Sequence, residues 1–147
     1  MRESSIVVRP QPMDSATYTA SSRLQAAGLR SGIALFERAA NSVPLPRPPR
    51  PITIADYGAA TGYNSLLPIG AAIAAIRART RSDHAVLVTH TDLPSNDFTA
   101  LFTTITEDQD SYLANDAATF ASAVGRSFYK QILPSESIAL GWSSWAT

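Results

Sequence analysis

The sequence predicts an α/β fold built on a parallel sheet of about four strands with flanking helices on both faces. Three observations carry that expectation. Short apolar runs alternate with helix-period segments in the order β-α-β-α-β-α-β. The first two strand-like runs, "ITIADYG" and "HAVLVTHTD", each bring an acid to the strand end. Between them a loop bracketed by Gly58 and Gly62 leads into a helix, the place where doubly wound folds bind ligands.

The elements follow in order. Residues 1–16 read as a flexible arm whose apolar run, "IVV", is too short for a signal-peptide core. A helix is expected from about Ser21 to Ser42, because Leu29, Ile33, Phe36, Ala40 and Val43 recur at three- and four-residue spacing. Five of the ten prolines lie between Pro44 and Pro51, which makes a stiff extended connector. "ITIADYG" then reads as a buried strand and "NSLLPIGAAIAAIRART" as a helix, with Pro68 tolerated only in its first turn. The run Val86, Leu87, Val88 marks a second strand covered on both faces. "SNDFTALFTTI" reads as a short helix capped by Ser95 or Asn96, with Phe98, Leu101, Phe102 and Ile105 as its apolar face. An acidic loop expected to be solvated, "TEDQDSYLAND" with Asp116 at its end, precedes a weakly signalled third strand near "ATFASAVG". A short helix or turn in "FYKQILPSES" leads to a fourth strand, "SIALGWSSW".

The bulk numbers exclude several function classes. The 147 residues suit one domain, and 45% hydrophobic with 16% charged residues is a globular composition. Lys plus Arg balance Asp plus Glu, 12 against 12, which gives no electrostatic case for nucleic acid or an anionic membrane. The chain has no cysteine, so disulfides are excluded and a cytoplasmic setting is expected. His84 and His90 have no metal-spaced partners, and the acidic loop lacks the Gly and final Glu of a calcium loop, so no metal site is expected.

The glycine loop is neither Gly-x-Gly-x-x-Gly nor a P-loop. Small residues at Gly58, Ala59, Ala60 and Gly62 suit a ligand touching the backbone, with a plain tight turn as the alternative. Asp92 closes the second strand, where a carboxylate can accept two hydrogen bonds from a vicinal diol. The alternative for Asp92 is a turn cap before Pro94. Asp56 and Asp92 are expected on adjacent strand ends, facing one crevice.

"TYTASSRLQ", "IADYGAATGYNSL", "HTDLPSNDFTALF" and "GRSFYKQILPSESIALGWSSW" occur in one order across Tyr18 to Trp145. Together they resemble the plant-type carboxyl methyltransferases that act on salicylate, benzoate and jasmonate, the SABATH family. The resemblance implies a Rossmann-like class I fold using S-adenosylmethionine, with residues 17–147 as the cofactor-binding domain. It implies the 3-2-1-4 half of a longer sheet, without the remaining strands and helical cap. Residue by residue, Ser22, Asp56 and Asn64 resemble the family's contacts to the methionine end of the cofactor, beside Gly58. Asp92 resembles the ribose-binding acid, Leu93 lies by the adenine, and Ser127 and Phe128 resemble the pair that grips it. Gln25 matches the glutamine that binds the substrate carboxylate, and Ser143, Ser144 and Trp145 fall at the substrate pocket. Trp142 and Trp145 are candidate indole donors to that carboxylate, or else core aromatics. This chain departs from the family pattern at Tyr63, usually Pro, at Ala59 or Ala60, usually Cys or Ser, and at Trp142 and Trp145, usually His and Tyr.

The implied reaction is methyl transfer to the carboxylate of a small, aromatic acid. Such an acceptor is ionised above about pH 4, so no general base and no catalytic side chain is expected. A cofactor-binding module acting through a partner chain is the second reading. Ile138 and Leu140 on a bare edge strand predict a homo-oligomer or swapped dimer, or a fragment of a longer protein.

Overall fold

A computed structural model describes residues 6–8 and 18–144, with side chains described over 29–143. Its elements are β1 (Ile6–Val8), α1 (Tyr18–Ser42), β2 (Ile52–Tyr57), a 3-10 turn (Tyr63–Ser65), α2 (Leu66–Arg77), β3 (Val86–Asp92), α3 (Phe98–Glu107), β4 (Thr119–Gly125) and β5 (Leu140–Ser144). The five strands form one sheet in the order β1-β5-β2-β3-β4, every pair parallel. The four strands expected from sequence therefore stand in the order 3-2-1-4.

Strand β1 is the addition. It lies inside the segment read as a flexible arm, and it pairs Ile6 with Trp142 and Val8 with Ser144. The edge of β5 that the sequence reading leaves bare is thus paired within the chain, which removes the reason for expecting a swapped dimer.

Chain direction decides where the helices go. From β1 past β5 to β2, then to β3 and β4, the chain steps the same way across the sheet. Right-handed crossovers therefore put α1, α2 and α3 on one face. Their buried residues, among them Phe36, Ile69, Ile76, Leu101 and Ile105, share a core with Ile52, Ile54, Val86, Val88, Leu140 and Trp142. Fully burying each such side chain contributes about 1.5–3 kcal/mol. The step from β4 back to β5 runs the other way and so crosses the second face. No helix forms there among the described residues; 126–138 is turns and irregular chain. The expectation of helices on both faces is corrected accordingly: Phe120 on that face is 53% exposed, and Leu87 is only half-buried.

Two local expectations change in detail. The cap of α3 is Asp97, whose side chain accepts from the Ala100 N–H at 2.9 Å, and not Ser95 or Asn96. Asp116, expected in a solvated loop, is instead paired with Arg77 at 2.7 Å. Pro68 sits in the first turn of α2, where its missing N–H costs nothing. No helix among the described residues is long and apolar enough to cross a membrane.

Candidate functional site

The carboxyl ends of β2, β3 and β4 lie side by side, and the chain after each carries a candidate residue. After β2 comes the glycine loop. Its Gly58 and Ala59 N–H groups both donate to Thr91 O, at 2.9 and 3.0 Å, which docks the loop on the tip of β3. Gly58, Ala60 and Gly62 have φ of 72°, 49° and 83°. The two glycines do different work. A Cβ on Gly62 would lie 2.6 Å from Leu101 Cδ1, so Gly62 is bare because α3 packs on it. Ala59 is also buried, so of the four small residues expected to meet a ligand, only Gly58 and Ala60 are not buried.

Asp92 ends β3 and holds this loop. Its Oδ2 accepts from the Ala60 N–H at 2.7 Å and its Oδ1 from the Leu93 N–H at 2.7 Å. Asn96 closes the ring by donating to Ala60 O at 2.8 Å. A carboxylate has about four acceptor sites, so Asp92 keeps capacity for two further donors. Beyond β4, the Ser127 hydroxyl accepts from the Tyr129 N–H at 3.3 Å, and Phe128 packs edge-on to Tyr57 with ring centres 6.4 Å apart. Tyr57 and Phe128 also wall a cavity of about 330 Å³ on the second face of the sheet. Asn64 lines a smaller cavity of about 90 Å³ with Leu29, Tyr63, Leu67, Asp108 and Asp110.

Asp56 is placed differently from the expectation. It is fully buried and faces the core, not a crevice shared with Asp92. The reason is its register partner on β3, His90, whose Nδ1 lies 2.7 Å from Asp56 Oδ2. His90 Nε2 in turn lies 2.7 Å from the Tyr112 hydroxyl, with the two rings stacked at 5.8 Å. A carboxylate only accepts, so the Nδ1 hydrogen is donated to Asp56, and Nε2 shares a hydrogen bond with the Tyr112 hydroxyl. Burial, and next the Asp56 charge, push the Tyr112 phenol well above its ordinary range, so the hydroxyl keeps its hydrogen. Asp56 Oδ1 is buried and meets no donor among the described residues. Sequence spacing contains the signal for this network. Ile52, Ile54 and Asp56 alternate on one face, as do Val86, Val88 and His90.

Trp142 is likewise corrected. It is fully buried and packs on Phe36, ring centres 5.2 Å apart, in the middle of the core. It is the core aromatic of the alternative reading, with its Nε1 buried and without a partner among the described residues. Ser22 and Gln25 lie in the first turns of α1, with their side chains outside the described residues; the Ser144 side chain and Trp145 also lie outside them. His84 donates through Nε2 to Arg50 O at 2.8 Å, which is a structural role. Among the described residues no cluster of ligands could hold a metal ion.

A parallel sheet in 3-2-1-4 order, a glycine loop on the first tip and an acid on the second define the class: a Rossmann-like α/β fold. More narrowly, the chain belongs to the SAM dependent carboxyl methyltransferase family, whose model matches residues 9–147. It is 34% identical over 128 residues to methyltransferase FUS9 of Gibberella moniliformis, covering 86% of this chain and 34% of that protein. It is 29% identical over 141 residues to anthranilate O-methyltransferase 1 of Zea mays, covering 84% of this chain and 37% of that protein. A solved loganic acid methyltransferase with SAH superposes with a TM-score of 0.64 at 25% identity, covering 89% of this chain and 37% of that one. The chain thus spans about a third of the length of the curated relatives it matches.

The donor set fits an adenosyl amino acid. Asp92 retains acceptors for a diol, Phe128 brings an aromatic ring to the tip beyond β4, and Asp56 Oδ1 is an unmatched buried acceptor suited to an ammonium group.

Proposed function

We propose that residues 17–147 form the cofactor-binding half of an S-adenosylmethionine-dependent methyltransferase acting on the carboxylate of a small, aromatic acid. The observation that supports it best is Asp92 at the tip of β3, with both oxygens fixed by the N–H groups of Ala60 and Leu93. A diol-binding carboxylate held this way is oriented before any ligand arrives, which lowers the ordering cost of binding.

Asp92 would hold the ribose, with Leu93, Ser127 and Phe128 around the adenine, and Ser22, Asp56 and Asn64 at the methionine end beside Gly58. Gln25, with Trp145, would orient the acceptor carboxylate. Bound S-adenosylmethionine supplies an electrophilic methyl group on a sulfonium. The side chains then contribute alignment and exclusion of water, effects worth up to about 7–11 kcal/mol where orientation is favourable. No side chain has to move a proton, since the acceptor is ionised near neutral pH.

The second reading, a cofactor-binding module completed by another polypeptide, is favoured by one observation. The second face of the sheet carries exposed Phe120 and no helix among the described residues. A panel of aromatic acids separates the two readings. Methyl ester from any of them supports the enzyme; tight cofactor binding with no ester supports the module. Asp92→Ala should weaken S-adenosylhomocysteine binding at least tenfold, since hydrogen bonds to a charged group contribute about 1.5–3 kcal/mol each. Unchanged affinity in that variant overturns the assignment.

A further inference from the structure

Resting on that reading of the site, we propose that His90 is a positioning residue for cofactor binding. It acts through Asp56, and Tyr112 holds it in place. Three observations carry this.

Asp56 Oδ2 is engaged by His90 Nδ1 at 2.7 Å, while Asp56 Oδ1 is buried without a partner among the described residues. One oxygen is therefore clamped and the other left as an acceptor. A buried unmatched acceptor is costly and calls for a donor, and the ammonium group of an amino acid is a strong one. Its value to a ligand depends on the carboxylate not rotating, which is what the clamp prevents.

His90 is itself immobilised. It is fully buried, and both ring nitrogens are used, so turning the ring breaks one bond or both. Finally, Tyr112 belongs to the loop whose Asp108 and Asp110 border the small cavity beside Asn64. The chain of contacts from Tyr112 to His90 to Asp56 thus braces that loop against the tip of β2. Nothing in the methyl-transfer chemistry needs a histidine here, and a plain core position would favour an apolar residue, as at Val86 and Val88 on the same face.

The test is calorimetric titration of the chain with S-adenosylhomocysteine, each variant held well below its own melting temperature. His90→Asn keeps an N–H close to the Nδ1 position; His90→Gln keeps a polar group only near Nε2; His90→Leu keeps neither. The expected order is wild type and His90→Asn within about threefold, and His90→Gln and His90→Leu weaker by about tenfold or more. A purely structural histidine would instead lower melting temperatures and leave affinities alike. Equal affinity of His90→Leu and wild type overturns the proposal. Where His90→Leu does not fold, equal affinities of the Asn and Gln variants overturn it. A wild-type chain that binds no S-adenosylhomocysteine refutes the cofactor reading itself, and the positioning role with it.

Discussion

Asp56 and His90 face each other across β2 and β3, paired in register, with Oδ2 and Nδ1 2.7 Å apart in the core. Two ionisable side chains occupy positions that strand alternation assigns to the apolar face. Burying either alone would cost several kcal/mol, and burying them together is tolerable because each meets the other. The strand tip that holds the glycine loop is built on this pair. Of the two strand-tip acids, Asp92 is the one left partly exposed at the sheet edge.

Gly62 should not tolerate a side chain. Its φ of 83° opposes alanine, and so does Leu101 Cδ1, which lies 2.6 Å from where a Cβ would stand. Gly62→Ala is expected to destabilise the fold by about 1–3 kcal/mol, read from urea unfolding. Stability within about 0.5 kcal/mol of wild type, the level of an ordinary surface change, would contradict the packing role.

Asp116 makes stability depend on acid. The Arg77 hydrogen bond holds its carboxyl below the ordinary value of 3.8, against a smaller opposing push from burial. With the folded value depressed, the unfolded chain binds more protons in that window, so this contribution is complete above about pH 4 and lost as pH falls through the folded value. Asp116→Asn should remove that part of the acid sensitivity. It should also cost about 1–3 kcal/mol at neutral pH, because Arg77 loses its charged partner and one of the two acceptor oxygens it bonds. Melting curves at several pH values check both.

Trp142 is expected to behave as core. Trp142→Ala should destabilise by about 3–5 kcal/mol. Trp142→Phe should cost less and leave S-adenosylhomocysteine affinity within about twofold of wild type. A large loss of affinity in a stable Trp142→Phe chain would return this residue to the site.

Leu93 should behave in the opposite way. It is 52% exposed beside Asp92, so Leu93→Ala should change stability by no more than about 0.5 kcal/mol. The same variant should weaken cofactor binding severalfold by removing an apolar wall from the adenine. Unchanged binding would place the adenine elsewhere.

Much of this arrangement is legible in the sequence, and the exceptions have physical causes. Periodicity locates α1, α2 and α3, and the apolar runs locate the four central strands, because burial imposes those patterns. Strand β1 escapes such a reading because three residues, "IVV", carry no period. That 126–138 crosses the second face follows from strand order, which is a property of the whole sheet and not of that segment. Asp56 and Trp142 mislead as to exposure for one reason. Each invites a reading by its chemistry, while alternation with Ile54 and Leu140 already puts both on the buried face. The same alternation, applied to Val86, Val88 and His90, names the partner of Asp56.

The central claim is that the tips of β2, β3 and β4 receive an adenosyl compound without a nicotinamide. Calorimetric titration of the chain with S-adenosylhomocysteine, run beside a nicotinamide dinucleotide, tests it most directly. Saturable one-site binding of the first and none of the second is the predicted result. Binding of the dinucleotide alone, or of neither, would contradict it.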